Sequence, residues 1–93
     1  MKLIKIIVLS LFMLCNVSAY TPSENGGSTT TASGAEAQEG VTIAADHLPF
    51  GTIVKILGQF YVVQDRFGGG HSDRIDIFMN DYERAINFGR QWL

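Results

Sequence analysis

Four short runs of β-branched and aromatic residues lie between residues 41 and 79, and turn residues end each of them. The runs are VTIAA (41–45), TIVKIL (52–57), FYVVQD (60–65) and RIDIFM (74–79). Pro49 and Gly51 mark the first turn, Gly58 marks the second, and the triple glycine at 68–70 marks the third. Short runs of this kind, separated by glycine turns, are typical of β-strands. The pattern therefore predicts a small, mostly-β fold and excludes a parallel α/β sheet.

One helix is predicted near the C-terminus. Asn80 is a good N-cap residue, and Glu83 follows it at the spacing of a capping box. Positions i, i+3, i+4 and i+7 form an apolar or small face: Tyr82, Ala85, Ile86 and Gly89. Gly89 can end the helix in a left-handed conformation. In the segment that follows, Trp92 and Leu93 are expected to cover the core.

Residues 1–19 have the features of a signal peptide. Lys2 and Lys5 give a basic start, residues 6–14 (IIVLSLFML) are apolar, and residues 17–19 (VSA) are small residues that a signal peptidase reads. Cleavage before Tyr20 would leave a domain of residues 20–93, secreted or in the cell envelope and with no membrane segment. The alternative is a retained N-terminal anchor, although the apolar run is short for a transmembrane helix.

Composition limits what this predicted domain can be. Cys15, the single cysteine, lies in the predicted signal peptide, so a disulfide framework and a cysteine-based zinc site are excluded. Five basic and nine acidic residues give residues 20–93 a net charge of −4. This balance argues against nucleic acid or an anionic membrane as a partner. A single small core without disulfides is best stabilised by a sheet that closes and hides its edges.

Three aspartates lie at the ends of predicted strands or on them. Asp46 follows the first strand, Asp65 ends the third, and Asp76 lies inside the fourth. If Ile75 and Ile77 fill the core, Asp76 lies on the opposite, partly enclosed face. Burial raises the pKa of a carboxyl group, and such a group can act as a general acid near neutral pH. The alternative is a solvated aspartate on an outer strand face.

Other chemistries fit the glycine-rich stretch less well. GGGHSD lacks the Lys-Ser/Thr ending of a phosphate-binding loop and leads into a strand instead of a helix. A metal site built from His71 with Asp65, Asp73 and Asp76 would lack both His-x₃-His and EF-hand spacing. No G-x-S-x-G motif is present for a serine nucleophile. We therefore predict no metal and no cofactor.

Seven segments in order give the chain a resemblance to a known family. They are AYTPSENGG (19–27), TASG (31–34), GVTIAAD (40–46), LPFGT (48–52), YVVQDR (61–66), RIDIF (74–78) and AINFGRQW (85–92). Together they resemble the 3D domain, which is named for three aspartates and is related to the catalytic barrel of membrane-bound lytic transglycosylase A. The resemblance covers nearly all of residues 20–93. One departure is the loop after Asp65, where His71 replaces the family's lysine and Phe67 precedes three glycines.

The resemblance implies a small double-psi β-barrel with a groove for peptidoglycan glycan strands. The three aspartates that name the family match Asp46, Asp65 and Asp76, and the catalytic acid matches Asp76. The expected substrate-binding residues are Thr52, Gly69, Gly70, His71 and Arg74. Residues 20–40, whose composition is that of a disordered linker, would form part of the barrel.

The implied activity is that of a lytic transglycosylase. Asp76 would protonate the glycosidic oxygen between N-acetylmuramic acid and N-acetylglucosamine, and its carboxylate would then take the proton of the muramic acid C6 hydroxyl. That hydroxyl closes on the anomeric carbon and gives a 1,6-anhydro product. Asp46 and Asp65 would hold Asp76 in place and shape its field. The alternative is a non-catalytic barrel that binds carbohydrate or the cell wall, because a fold by itself does not decide function.

Overall fold

The structure, a computed structural model, describes residues 15–22 and 28–93. Its strands are β1 (Asn16–Tyr20), β2 (Thr42–Ala45), β3 (Ile53–Ile56), β4 (Gln59–Asp65), β5 (Arg74–Phe78) and β6 (Gln91–Trp92). One helix, α1 (Tyr82–Phe88), lies between β5 and β6 in the chain. The prediction of a mostly-β fold with one short helix is confirmed, and the four predicted strands correspond to β2 through β5.

The six strands form one mixed sheet in the order β3-β4-β2-β5-β1-β6. β1 is parallel to β5 and β2 is parallel to β4, whereas the other neighbouring strands are antiparallel. The sheet curls into a half-barrel with β3 and β6 at its edges. In the part of the chain that the structure describes, these edges do not pair, so the closed sheet expected from composition is not seen.

The core lies on one face of this sheet. Alternation along the strands turns β-branched side chains toward it, and these are buried: Val17, Ile43, Val63, Ile75 and Ile77. The expectation that Ile75 and Ile77 fill the core is therefore confirmed. On the other face, Phe78 is also buried, and its ring meets the Tyr20 ring edge to face at a centroid distance of 5.4 Å. Asp76 lies on this second face, which is partly enclosed.

The C-terminal segment differs from its prediction in three details. The N-cap of α1 is Asp81, not Asn80, because the Asp81 carboxylate accepts the backbone N–H of Arg84, whereas the Asn80 N–H is bonded to Glu39. Gly89 ends the helix as predicted. Of the expected apolar face, Ala85 is buried, but two side chains are more than half exposed: Tyr82 and Ile86. Leu93 packs against the core as expected, whereas Trp92 is exposed.

Residues 28–40 pack on the rest of the structure despite their linker-like composition. Thr30 and Glu36 form an isolated antiparallel bridge around a turn, and Thr31 inside that turn is buried. The backbone N–H of Ser33 donates to the carbonyl of Gln64 at 3.1 Å. The turn is thereby fixed against the C-terminal end of β4. Among the described residues, no helix is long and apolar enough to cross a membrane.

Strand β1 crosses the predicted signal-peptide boundary before Tyr20. Its residues pair with β5 along their whole length and with β6 at Asn16 and Val17. Just before it, Cys15 exchanges two backbone hydrogen bonds of 3.0 Å with Leu93 and is buried. Cleavage at this boundary stays a prediction, but a chain cut there would lose most of a strand from inside the sheet.

We expect a chain that begins at Tyr20 to fail to fold cooperatively, whereas a chain that begins at Cys15 should fold. Removing residues 15–19 takes Val17 out of the core and leaves one side of β5 without its backbone partners. Circular dichroism and thermal unfolding of the two purified chains would test this. A cooperative transition and an unchanged spectrum for the shorter chain would contradict it.

Candidate active site

Four residues line up across the second face of the sheet, one from each of four adjacent strands. Ala44 of β2 is in register with Asp65 of β4 on one side and with Asp76 of β5 on the other. Asp76 is in turn paired with Ser18 of β1. Neighbouring strands lie about 4.8 Å apart, so the two aspartates are separated by two strand spacings with only a methyl group between them. The small side chain of Ala44 leaves open space between the two carboxylates.

A β-bulge brings Asp65 into this row. Ile43 pairs with Val63, but the next residue, Ala44, pairs with Asp65, so Gln64 is an extra residue in β4. Without the extra residue, Ala44 would face Gln64, and Asp65 would point to the opposite side of the sheet. The bulged Gln64 is held in place because its side-chain oxygen accepts the hydroxyl of buried Thr42 at 2.6 Å.

The two carboxylates face a common open cavity of about 430 Å³. Its lining comes from β1, β2, β5 and the end of β4: Ser18, Ala19, Tyr20, Ala44, Asp65, Arg66, Phe67 and Asp76. Two of the three predicted catalytic aspartates are thus brought together. Asp46 is not part of this lining.

Strand β1 supplies a hydroxyl group to each carboxylate. Ser18 Oγ donates to Asp76 Oδ1, and Tyr20 Oη donates to Asp65 Oδ2 at 2.8 Å. Burial, followed by the hydrogen bond to Asp65, raises the pKa of Tyr20 well above its usual value. The phenol is therefore a protonated donor at neutral pH.

Asp65 also accepts hydrogen bonds from two backbone groups. The N–H groups of Ala32 and Arg66 both donate to Asp65 Oδ1 at 2.9 Å. With the phenol of Tyr20 these make three donors, which fix the orientation of the carboxylate. Its first backbone partner belongs to the turn of residues 28–40, so this segment contributes directly to the site.

Asp46 organises the glycine-rich loop. Its two carboxylate oxygens accept the backbone N–H groups of Gly68 at 2.9 Å and His71 at 3.1 Å. These bonds require consecutive positive φ angles of 95°, 91° and 70° at residues 68–70, a conformation that favours glycine. The bond from Gly68, with weaker support from His71, holds the pKa of Asp46 below its usual value despite some desolvation.

The predicted substrate-binding residues lie around the cavity and not in its lining. Arg74 and His71 both contact the ring of Phe67, which does line it, at 4.7 Å from guanidinium carbon to centroid and 5.2 Å between ring centroids. Gly69 and Gly70 belong to the adjoining loop. Thr52 belongs to the turn before β3. Its hydroxyl donates to the carbonyl of Pro49 at 2.7 Å.

Sequence reasoning missed several of the residues that build the site. Ser18 and Tyr20 alternate with the apolar residues Val17 and Ala19 in NVSAY, and that period-two pattern was the available signal. Arg66 was also missed. Its guanidinium donates to the carbonyls of Ala45 and Leu48 at 2.8 and 2.9 Å and lies 3.8 Å above the Phe50 ring centroid. The side chain thereby fixes the start of the β2–β3 connection beside the cavity.

In residues 15–22 and 28–93, no three His, Cys, Asp or Glu side chains lie close enough together to bind a metal ion. In comparisons with known proteins, the chain matches no family model and no curated protein.

The loop anchored by Asp46 should be acid-sensitive. Because the folded-state pKa of Asp46 lies below its value in the unfolded chain, its contribution to stability is present above the unfolded pKa and is lost as the pH falls through the folded one. We expect Asp46→Asn to lower the free energy of unfolding by about 1 kcal/mol at neutral pH. Below pH ~4 the difference from wild type should shrink.

Denaturant unfolding at several pH values would measure this effect. Asp73→Asn is the matched control, since Asp73 is an exposed aspartate near the same loop. Equal stability losses for the two variants, or a loss at Asp46 that does not depend on pH, would contradict the assignment.

Proposed function

We propose that the chain is a 3D-domain protein whose cavity cleaves glycan strands of peptidoglycan as a lytic transglycosylase. The observation that carries the proposal is the row across the sheet, in which Asp65 and Asp76 flank Ala44 and face one open cavity. Two of the three residues that the family resemblance marks as catalytic, Asp65 and Asp76, lie on different strands and meet at this site.

The topology supports the finer assignment to a double-psi β-barrel. Each of two parallel pairs, β1 with β5 and β2 with β4, joins strands that are separated in the chain by other strands of the same sheet. The two pairs meet where β2 and β5 run antiparallel. Parallel pairing of strands that are not consecutive in the chain is what the crossed connections of such a barrel require, and here the end of β4 and the middle of β5 border one cavity.

Asp76 is the residue that we assign to proton transfer. It lies in the middle of β5, between the hydrogen-bonding Ser18 and the small Ala44, so its carboxyl group is held at the wall of the cavity. As a carboxylic acid it protonates the glycosidic oxygen while the bond to the anomeric carbon breaks. As a carboxylate it accepts the proton of the muramic acid C6 hydroxyl, whose oxygen bonds to the same carbon. The residue thus returns to its starting state.

One acid–base residue is sufficient for this reaction because the nucleophile is part of the substrate. A hydrolase would use a second carboxylate to activate water or to attack the sugar. Three donors already fix Asp65, which suits a residue that orients the site and stabilises developing positive charge at the anomeric carbon. We assign Asp46 a different role: it anchors the glycine-rich loop that borders the cavity.

The product identifies the reaction. Mass spectrometry of purified peptidoglycan after incubation with the protein should show 1,6-anhydro-muramic ends, which contain one water less than the ends made by hydrolysis. Reducing muramic ends would indicate a hydrolase. Co-sedimentation with peptidoglycan and no new ends would favour the alternative, a carbohydrate-binding barrel.

Asp76→Asn should abolish cleavage and leave the fold intact. Asparagine has nearly the same shape, so packing around Ile75 and Ile77 need not change, but its amide does not donate and recover a proton at neutral pH. General acid–base catalysis is worth about 10²–10⁴ in rate, and we expect a loss of at least this size. Initial rates of anhydro-product release measure it.

Asp73→Asn is the control for this variant, because it makes the same substitution at an exposed position three residues away. It should retain the wild-type rate. Asp65→Asn should slow the reaction less than Asp76→Asn does. Wild-type turnover by Asp76→Asn, or an inactive Asp73→Asn, would show that the acid is assigned to the wrong residue.

Chelation should leave the activity unchanged. The proposed steps use a side-chain carboxyl group and a substrate hydroxyl, and no three potential ligands converge in the described part of the chain. The test is the rate of product release before and after dialysis against EDTA. Loss of activity that one divalent metal restores would overturn the mechanism.

A further inference from the structure

Strand β1 presents two different faces along its short length. Val17 is buried in the core, whereas Ser18 and Tyr20 on the other face of the strand line the cavity. The hydroxyls of Ser18 and Tyr20, two residues apart, therefore reach carboxylates on two different strands, β5 and β4. Because side chains alternate between the two faces of a strand, one face of β1 contacts both Asp76 and Asp65.

We propose that Ser18 and Tyr20 are positioning residues of the reaction, Ser18 for Asp76 and Tyr20 for Asp65. This inference rests on the proposed function. Neither residue transfers a proton or anchors the glycine-rich loop. Strand β1 therefore has a role different from those of the three aspartates. The sheet register is what makes the pairing possible, because Ser18 lies directly opposite Asp76.

A serine hydroxyl is suited to a residue that changes its protonation state. It donates to a carboxylate, and after rotation of its own O–H bond it accepts from a carboxylic acid. Ser18 can therefore keep Asp76 in one orientation before and after the proton transfer, because the hydrogen bond between them is kept and only its direction reverses. An alanine at this position would remove this hydrogen bond to Asp76 in both half-reactions.

Tyr20 meets a different requirement. Asp65 keeps the same charge throughout the proposed reaction, so a partner that only donates to it is sufficient, and the phenol of Tyr20 donates to it. The Tyr20 ring is itself fixed by its edge-to-face contact with buried Phe78. Because two backbone N–H groups also hold Asp65, loss of the phenol hydroxyl should cost less than loss of the serine hydroxyl.

The experiment measures kcat and KM on soluble, uncrosslinked glycan strands. Ser18→Ala should lower kcat about 10- to 100-fold, the range expected for one hydrogen bond to a charged group, and leave KM within about twofold. Ser18→Thr keeps the hydroxyl on a residue that favours strands and should recover most of kcat. Tyr20→Phe should lower kcat by less than Ser18→Ala does.

The matched control is Ser72→Ala, an exposed serine outside the cavity lining, which should behave as wild type. Thermal unfolding reports whether each variant folds. If Ser18→Ala does not fold, Ser18→Cys, of similar size and with a weak donor, replaces it and should show the same loss of kcat.

The outcomes separate this inference from the function on which it rests. Wild-type kcat in a folded Ser18→Ala or Ser18→Cys variant, while Asp76→Asn is inactive, overturns the positioning role alone. A folded Ser18→Thr variant no faster than Ser18→Ala also overturns it. Absence of anhydro products with wild-type protein overturns the proposed function and the inference together.

Discussion

The pairing of β5 on both of its sides is the constraint on which the site depends. β5 is parallel to β1 and antiparallel to β2, and those two ladders fix Asp76 between Ser18 and Ala44. Backbone hydrogen bonds on both sides leave β5 little freedom to slide, and a slip of one residue would turn Asp76 into the core and an isoleucine into the cavity. The register therefore determines both the core and the candidate chemistry. It also explains how a sheet with open edges holds an acidic residue in a defined orientation.

The three aspartates of the resemblance have three different structural roles. Asp76 is held in the middle of a strand with a hydroxyl partner, Asp65 ends a bulged strand with three donors, and Asp46 binds the backbone of the glycine-rich loop. The triple glycine serves Asp46 in particular, because three successive positive φ angles turn the N–H groups of the loop toward its carboxylate. Phe67, at the start of the same loop, lines the cavity. The bonds of Asp46 to the loop therefore also help to hold one wall of the cavity.

Strand β1 contributes both to the stability of the fold and to the proposed chemistry. Val17 is buried in the core, and the strand pairs with β5 on one side and with β6 on the other. The opposite face of the same strand presents the hydroxyls that contact Asp76 and Asp65. Any processing of the N-terminus that reached this strand would affect the fold and the site together.

Four of the six strands and the helix could be predicted from the sequence, because periodicity and turn residues are local signals. β2 to β5, the end of α1 at Gly89 and the core positions Ile75 and Ile77 could all be predicted. The helix N-cap could not, since Asn80 and Asp81 are both good caps and the choice was made by a long-range bond from Asn80 to Glu39. Strand β1 could not be predicted either, because the segment VSA fits a signal-peptidase site as well as a strand.

Which residues share the site depends on how the strands pair. Asp46 and Asp65 are equivalent in sequence, since each follows a β-type run, but a single extra residue, Gln64, turns Asp65 toward Ala44, while Asp46 turns to the loop. Nothing in the local sequence marks that bulge, because it exists only as a mismatch between two strands that are distant in the chain. For the same reason Ser18 and Asp76 become partners only when β1 and β5 pair. Strand type is a local property of the chain, whereas register and pairing are properties of the folded sheet.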